Sequence, residues 1–321
     1  MVSFNLSKRK LLLSVSKLQL ILLLCTVIPH NLSAQGFIET GYTPQRNLLD
    51  KDDKKHGSGD LFQISGRYTL PLSVKRNEKG QVVAWSATIN CVYSVLNNKD
   101  EALDINPKNI LNCSFNISHR RPISDKWYLI ASLGAGVYSS PNHVSFKSIL
   151  ANGAVIFAYK IRDNLDIGIG AGLTNSYGAP IIMPMTFLKW KTTGKYEIDV
   201  EVANRLKVSV TRILTDRFKL SLVPYDMDGI SDLFRDGISS VIKKDGESKI
   251  YGSTRLRSYL RPEFKIKEKS FIYLGIGADI YHSVKIADRS WKGFANSFKG
   301  NNEKWNFDRA FHVMAGFRYG F

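Results

Sequence analysis

His143 and Ser145 are two residues apart, so on a strand both side chains share one face. Barrel-embedded lipid hydrolases need that spacing to bring a base to a nucleophile. Serine is common enough for such a pair to arise by chance, and no neighbouring residue would orient the imidazole, so the pair is a thin basis for catalysis. His282 and Ser283 are adjacent and point to opposite faces. The chain contains no Cys-x-x-Cys or His-x-x-x-His spacing, phosphate-binding loop or serine elbow, and the expectation is a non-enzyme without cofactor or metal.

Charge gives a richer pattern. In 249–264 one face carries Tyr251, Arg255, Arg257, Tyr259 and Arg261, against Ile250, Gly252, Thr254, Leu256 and Leu260. In 195–203 the acids Glu197, Asp199 and Glu201 alternate with Tyr196, Ile198, Val200 and Val202. Arg67, Lys207 and Lys219 fall on the same polar side as these charges. A basic wall facing an acidic one would set up a transverse field that orients small solutes. Alternatively the charges pair across the interior and fill it.

Cys91 and Cys113 would lie opposite one another in a hairpin centred near Ala102, both on the apolar face. Directly opposed positions approach to about 4.5–5.5 Å, within reach of a disulfide. Two small side chains facing an apolar medium are the preferred expectation, and the bridge is the alternative.

The elements that must position these residues are strands. Phe62, Ile64, Tyr68, Leu70 and Leu72 oppose Gln63, Ser65, Arg67, Thr69 and Ser73. Leu111, Cys113, Phe115 and Ile117 oppose Asn112, Ser114, Asn116 and Ser118. Many runs of this kind exceed the ~5–6 residues usual in globular sheets, as strands crossing a bilayer at a tilt must. Fourteen segments are expected, at 36–44, 60–73, 81–96, 109–119, 126–139, 148–161, 164–175, 181–192, 195–203, 206–214, 217–224, 249–264, 270–285 and 306–321. If 181–190 were a loop and 195–214 one bent strand, the count would be twelve. Short connections alternate with long ones, the asymmetry expected of an up-and-down antiparallel barrel.

Of the 321 residues, 1–34 read as an export signal, with Lys8, Arg9 and Lys10 before the apolar run Leu18–Ile28 and small Ser33 and Ala34 at its end. Cys25 could mark a lipoprotein, but bulky Leu24 precedes it, and cleavage after Ala34 is expected. No second long apolar run follows, which excludes a helical membrane protein. The net charge is +17, and the leader contributes four cations and no acid, leaving +13. Nucleic acid is not an expected partner of an exported chain. Outer-membrane lipids and lipopolysaccharide phosphates are. With the first strand close to Gln35, the remainder, 35–321, is expected to be one β-barrel without an N-terminal plug domain.

The last segment is the most specific. Phe311, Val313, Ala315, Phe317, Tyr319 and Phe321 share one face, and Gly316, Tyr319 and Phe321 match the terminal signal recognised by the barrel-assembly machinery. With the Ser33-Ala34-Gln35-Gly36 junction and the closing Phe317-Arg318-Tyr319-Gly320-Phe321, the chain resembles uncharacterised outer-membrane β-barrel families of Bacteroidota. It departs from them at 203–206, where a proline is usual. The resemblance implies an all-β transmembrane barrel in the outer membrane of a Gram-negative bacterium, and assigns no residue a role. The leading functional expectation is a passive, porin-like channel for small polar or anionic solutes. A lipid-modifying hydrolase and a structural or partner-binding surface barrel are the alternatives.

Overall fold

In the computed structural model, residues 34–202, 205–229, 238–244, 246–300 and 302–320 are described. The expected leader (but for Ala34) and Phe321 lie outside them. Strand-forming alternation is expressed as sixteen antiparallel strands among the described residues, fourteen of which close into a barrel. In chain order the wall begins with β1 (Gln35–Leu49), β2 (Lys55–Arg76), β3 (Val82–Lys99), β4 (Asn109–Pro122) and β5 (Trp127–Ser139). It continues with β6 (Ile149–Arg162), β7 (Leu165–Thr174), β8 (Ile181–Lys191), β9 (Tyr196–Val202), β10 (Leu206–Ile213) and β11 (Phe218–Asp228). After β12 (Ser239–Lys244), β13 (Glu247–Lys267) and β14 (Ser270–Asp288) resume it, and β15 (Glu303–Phe307) precedes the closing β16 (Ala310–Tyr319). β16 pairs with β14 on one side and with β1 on the other, from Gly36↔Tyr319 to Tyr42↔Val313. The expected fourteen-strand wall is therefore present, with 181–213 forming three separate strands.

The period of two sorts side chains as a closed sheet requires. Ile169 and Leu133, 70% and 68% exposed, point outward like Ile38, Phe115 and Phe311. Gln63, Ser94, Asn112 and Thr174 point inward and are buried. Cys91 and Cys113 are direct register partners on the outward face, with Cα atoms 4.1 Å apart. The structure joins them in a disulfide, where separate thiols were the preferred expectation.

One end of the barrel carries tight turns. At 77–81 the side chain of Asn77 accepts from the amides of Lys79 and Gln81, and Gly80 (φ +75°) takes the left-handed position. The opposite end carries α1 (Ala102–Ile105), two 3-10 turns (Pro141–His143 and Phe146–Ser148) and α2 (Trp291–Lys299).

Two long connections expected from the sequence differ. The segment 225–248 contains the end of β11 and all of β12, and 286–305 contains the end of β14, α2 and most of β15. Gly229 follows β11 in a left-handed conformation (φ +70°), and only glycine fits there, since a Cβ would lie 2.0 Å from the Ser253 carbonyl. β12 then pairs with β13 from Ser239↔Gly252 to Lys244↔Glu247. β15 lies along β14 from His282↔Phe307 to Ile286↔Glu303. The upper halves of β13 and β14 thus gain a strand on either side and become a four-stranded lobe.

Parity shows that the lobe sits inside the mouth. Tyr251, Val284 and Ile286 pack against Leu48, Leu61, Leu96, Ile105 and Ile110. Ile250, Ala287 and Val241, on its other face, pack against Tyr138, Leu150, Ile181 and Met183. Leu61, Leu96, Ile110, Tyr138 and Leu150 have the inward parity of Gln63, Ser94, Asn112, Gly136 and Asn152, so neighbouring stretches of the wall, β1–β4 and β5–β8, hold the two faces. Each fully buried side chain of this size contributes roughly 1.5–3 kcal/mol.

Candidate functional site in the lumen

Beneath the lobe, inward positions of β1, β11, β13, β14 and β16 bring charges together. Arg255 and Arg257 alternate on β13, and the bulge between Val223 and Asp226 turns Asp226 and Asp228 of β11 inward beside them. Arg255 Nη2 reaches Asp228 Oδ2 at 3.0 Å, and Arg257 Nη2 lies 3.3 Å from both Asp226 and Asp228. The Tyr259 hydroxyl donates to Asp226 at 2.6 Å, and Arg205 approaches the same carboxylate at 3.5 Å. Arg255 also donates to the Gln63 side chain across the lumen. Towards the short turns, Glu263 accepts from Arg261 at 2.7 Å and from Arg318 at 2.6 Å. Tyr273 donates to Glu39 at 2.9 Å.

A second knot lies across the closing seam. Arg46 of β1 pairs with Asp279 of β14 at 3.0 Å and contacts the His282 ring. His312 of β16 is 2.9 Å from the Thr43 hydroxyl. Arg46, Arg255, Arg257, Asp226, Asp228, Asp279, His282 and His312 are all buried. At such positions an unpaired charge is costly, so the pairs hold each other in place.

This arrangement corrects the expected opposition of two walls. The arginines are met by Asp226, Asp228 and Glu263 on their own or the next strand, and by no acid of β9. On β9, Glu197 pairs with Lys219 at 3.2 Å, while among the described residues Asp199 and Glu201 form no ion pair. Arg67 is half-buried on the inward side of β2. His143 and Ser145 lie on no strand. Both are exposed, His143 ending the first 3-10 turn and Ser145 capping the second, with its hydroxyl 3.2 Å from that of Ser148. Their two-residue spacing therefore gives no shared face. Gly316 lets the Tyr273 ring pack against it, since a Cβ there would lie 2.4 Å from Cζ, and Tyr319 points outward.

Sequence reasoning missed Arg46, Asp226, Asp228 and Asp279 as members of the cluster. Arg46 and Asp226 stand just beyond expected strand ends, each after a bulge that shifts the parity. The i, i+2 spacing of Asp226 and Asp228 was the available signal.

A family profile, Domain of unknown function (DUF6268), matches residues 30–320. The chain belongs to the DUF6268 family. No functionally described protein matches it by sequence. Among solved structures, the β domain of the Bordetella autotransporter BrkA is similar at 9% identity and TM-score 0.32, over 90% of this chain and 99% of that one. The monoaromatic hydrocarbon channel TodX aligns at 7% identity and TM-score 0.32, over 90% of each chain. The NanC porin aligns at 7% identity and TM-score 0.28, over 88% and 98%.

Proposed function

We propose that this protein is a non-enzymatic outer-membrane barrel that passes small polar or anionic solutes and is held shut, in the conformation seen, by its own β12–β15 lobe. The carrying observation is the row Arg255, Arg257 and Arg261 on one inward face, whose Nε atoms make no hydrogen bond among the described residues. Buried in this conformation, those N–H groups would meet a carboxylate or phosphate, which arginine recognises well, only once the lobe opens. The outward apolar face and closed sheet support placement in a bilayer, and a closed ring leaves no unpaired edge to lipid. The leader and terminal strand support the outer membrane of a Gram-negative bacterium, with the assembly machinery and its lipids as partners.

Planar-bilayer conductance of refolded protein tests this. The expected result is infrequent, anion-favouring openings that become frequent when Tyr251→Ala/Val284→Ala loosens the lobe. Arg261→Gln should weaken the anion preference in the loosened background. No defined current from either the parent or the loosened barrel overturns the channel reading. The apolar packing on both lobe faces favours one second reading, a sealed surface barrel whose outer loops engage a partner, and that result would select it.

A further inference from the structure

The positive charge of this chain is concentrated at the short-turn end. Residues 75–81, 120–126, 160–164, 189–195, 212–217 and 265–269 hold sixteen lysines and arginines against five acids, a surplus of eleven, whereas the whole chain after residue 34 carries +13. Of the sixteen, all but Lys265 are exposed. Lys79–Asp125 at 3.0 Å and Lys160–Asp163 at 2.7 Å are ion pairs within this rim, and the turn at 189–195 has Lys189, Lys191 and Lys195 with no acid. The other end is mixed, with three acids and three lysines at 50–55 and three acids beside Lys99 at 99–104.

Aromatic side chains border the basic rim. Trp85, Trp127, Trp190, Tyr196 and Tyr319 are all exposed beside it. Lys126 Nζ lies 5.9 Å from the Tyr159 ring and the Arg212 guanidinium 5.8 Å from the Tyr196 ring. Outward tryptophan and tyrosine mark the boundary between hydrocarbon and water, and long cationic side chains beyond them reach headgroup level. A ring in which cations outnumber acids at that depth fits a surface of phosphates. Soluble polyanions would explain the charge but not the aromatic border.

We propose that this rim binds anionic phospholipid headgroups of the leaflet it touches. Short turns of such barrels face the periplasm, so that leaflet is the inner one of the outer membrane. The proposal rests on the bilayer placement argued above and is independent of any solute passage.

The test uses the refolded barrel, in a Trp291→Phe/Trp305→Phe background, in phosphatidylcholine vesicles containing a minor fraction of phosphatidylglycerol. Brominated forms of each lipid in turn report contact by quenching the rim tryptophans. Each cation near an anionic surface is worth about fivefold in lipid affinity, so phosphatidylglycerol should be preferred at least about tenfold at low salt. The preference should fall as salt is raised. It should largely disappear in Lys189→Glu/Lys191→Glu/Lys195→Glu and persist in Lys292→Glu/Lys299→Glu at the opposite end. Equal quenching by the two lipids overturns the proposal, as does a preference unchanged by the turn variant. Heparin binding to barrels that show no lipid preference would instead assign the rim to a soluble polyanion. A chain that fails to insert into either vesicle refutes the bilayer placement itself, a result distinct from equal quenching.

Discussion

The hydroxyl of Tyr251 donates to Asn106 Oδ1 at 3.0 Å, joining two buried residues 145 positions apart in the chain. Tyr251 belongs to the lobe and Asn106 follows α1 in the β3–β4 connection, so this bond ties the lobe to the wall opposite its own strand.

Removing that ring should loosen the lobe before the wall. Tyr251→Ala deletes a fully buried aromatic side chain, a change that costs about 3–5 kcal/mol in well-packed cores. Hydrogen exchange should accelerate in 239–252 and 284–286, while β4 to β7 keep their protection. Tyr251→Phe, which loses only the hydrogen bond, should cost about 1 kcal/mol. Uniform acceleration around the whole barrel would contradict a separately held lobe.

The mid-lumen carboxylates should separate sharply by position. Asp226→Asn leaves Arg257 and Arg205 short of charge in a buried site, and breaking such a pair costs about 3–5 kcal/mol. Asp199→Asn, on β9 without an ion-pair partner among the described residues, should stay within about 0.5 kcal/mol of the parent. Urea unfolding of the refolded barrel gives both values, and similar costs for the two would refute the pairing described.

Cys91 and Cys113 should resist alkylation in the unfolded, unreduced exported protein and take up two labels after reduction. Intact mass resolves the two states. Two labels without reduction would show the thiols to be separate.

At the long-loop end, Asp50 follows β1 and lies below the usual carboxylate range, chiefly because His56 hydrogen-bonds its side chain, at 2.8 Å. A depressed carboxyl pKa contributes stability above its unfolded value, and that contribution is lost as pH falls through the folded value. His56 is in turn held above the ordinary histidine value by its hydrogen bonds to Glu101 and Asp50. The 50–56 turn should therefore be most ordered between the two titrations, at mildly acidic pH, and loosen both in strong acid as Asp50 gains a proton and in base as His56 loses one. In His56→Ala the Asp50 titration should move up towards an ordinary aspartate. An Asp50 titration unchanged by that substitution, followed by NMR, would assign the shift to another group.

Local sequence carried the wall because outward and inward positions differ in chemistry at every second residue, as Ile167, Ile169 and Leu173 do from Gly168, Gly170 and Thr174. The lobe was hidden because Tyr251 and Ile250 are both buried, so alternation no longer distinguishes a face. Arg255, Arg257 and Arg261 were legible as inward charges, but their partners were not. Which acid meets a given arginine depends on bulges at Thr43–Arg46 and Val223–Asp226 that shift the register across strands. His143 and Ser145 show the same dependence, since a spacing has chemical meaning only once the backbone between the residues is known.

Gly320 packs against the carbonyl of Ala34, so a Cβ there would come within 2.2 Å of it, and the first and last described residues of the barrel meet at the short-turn rim. For protein engineering the barrel is thus nearly a circle. A linker of a few residues across this junction, with new termini at Thr193–Gly194, would preserve the strand ladders while moving the seam to β8 and β9. The order in which strands leave the ribosome could then be varied while the finished ring stayed the same.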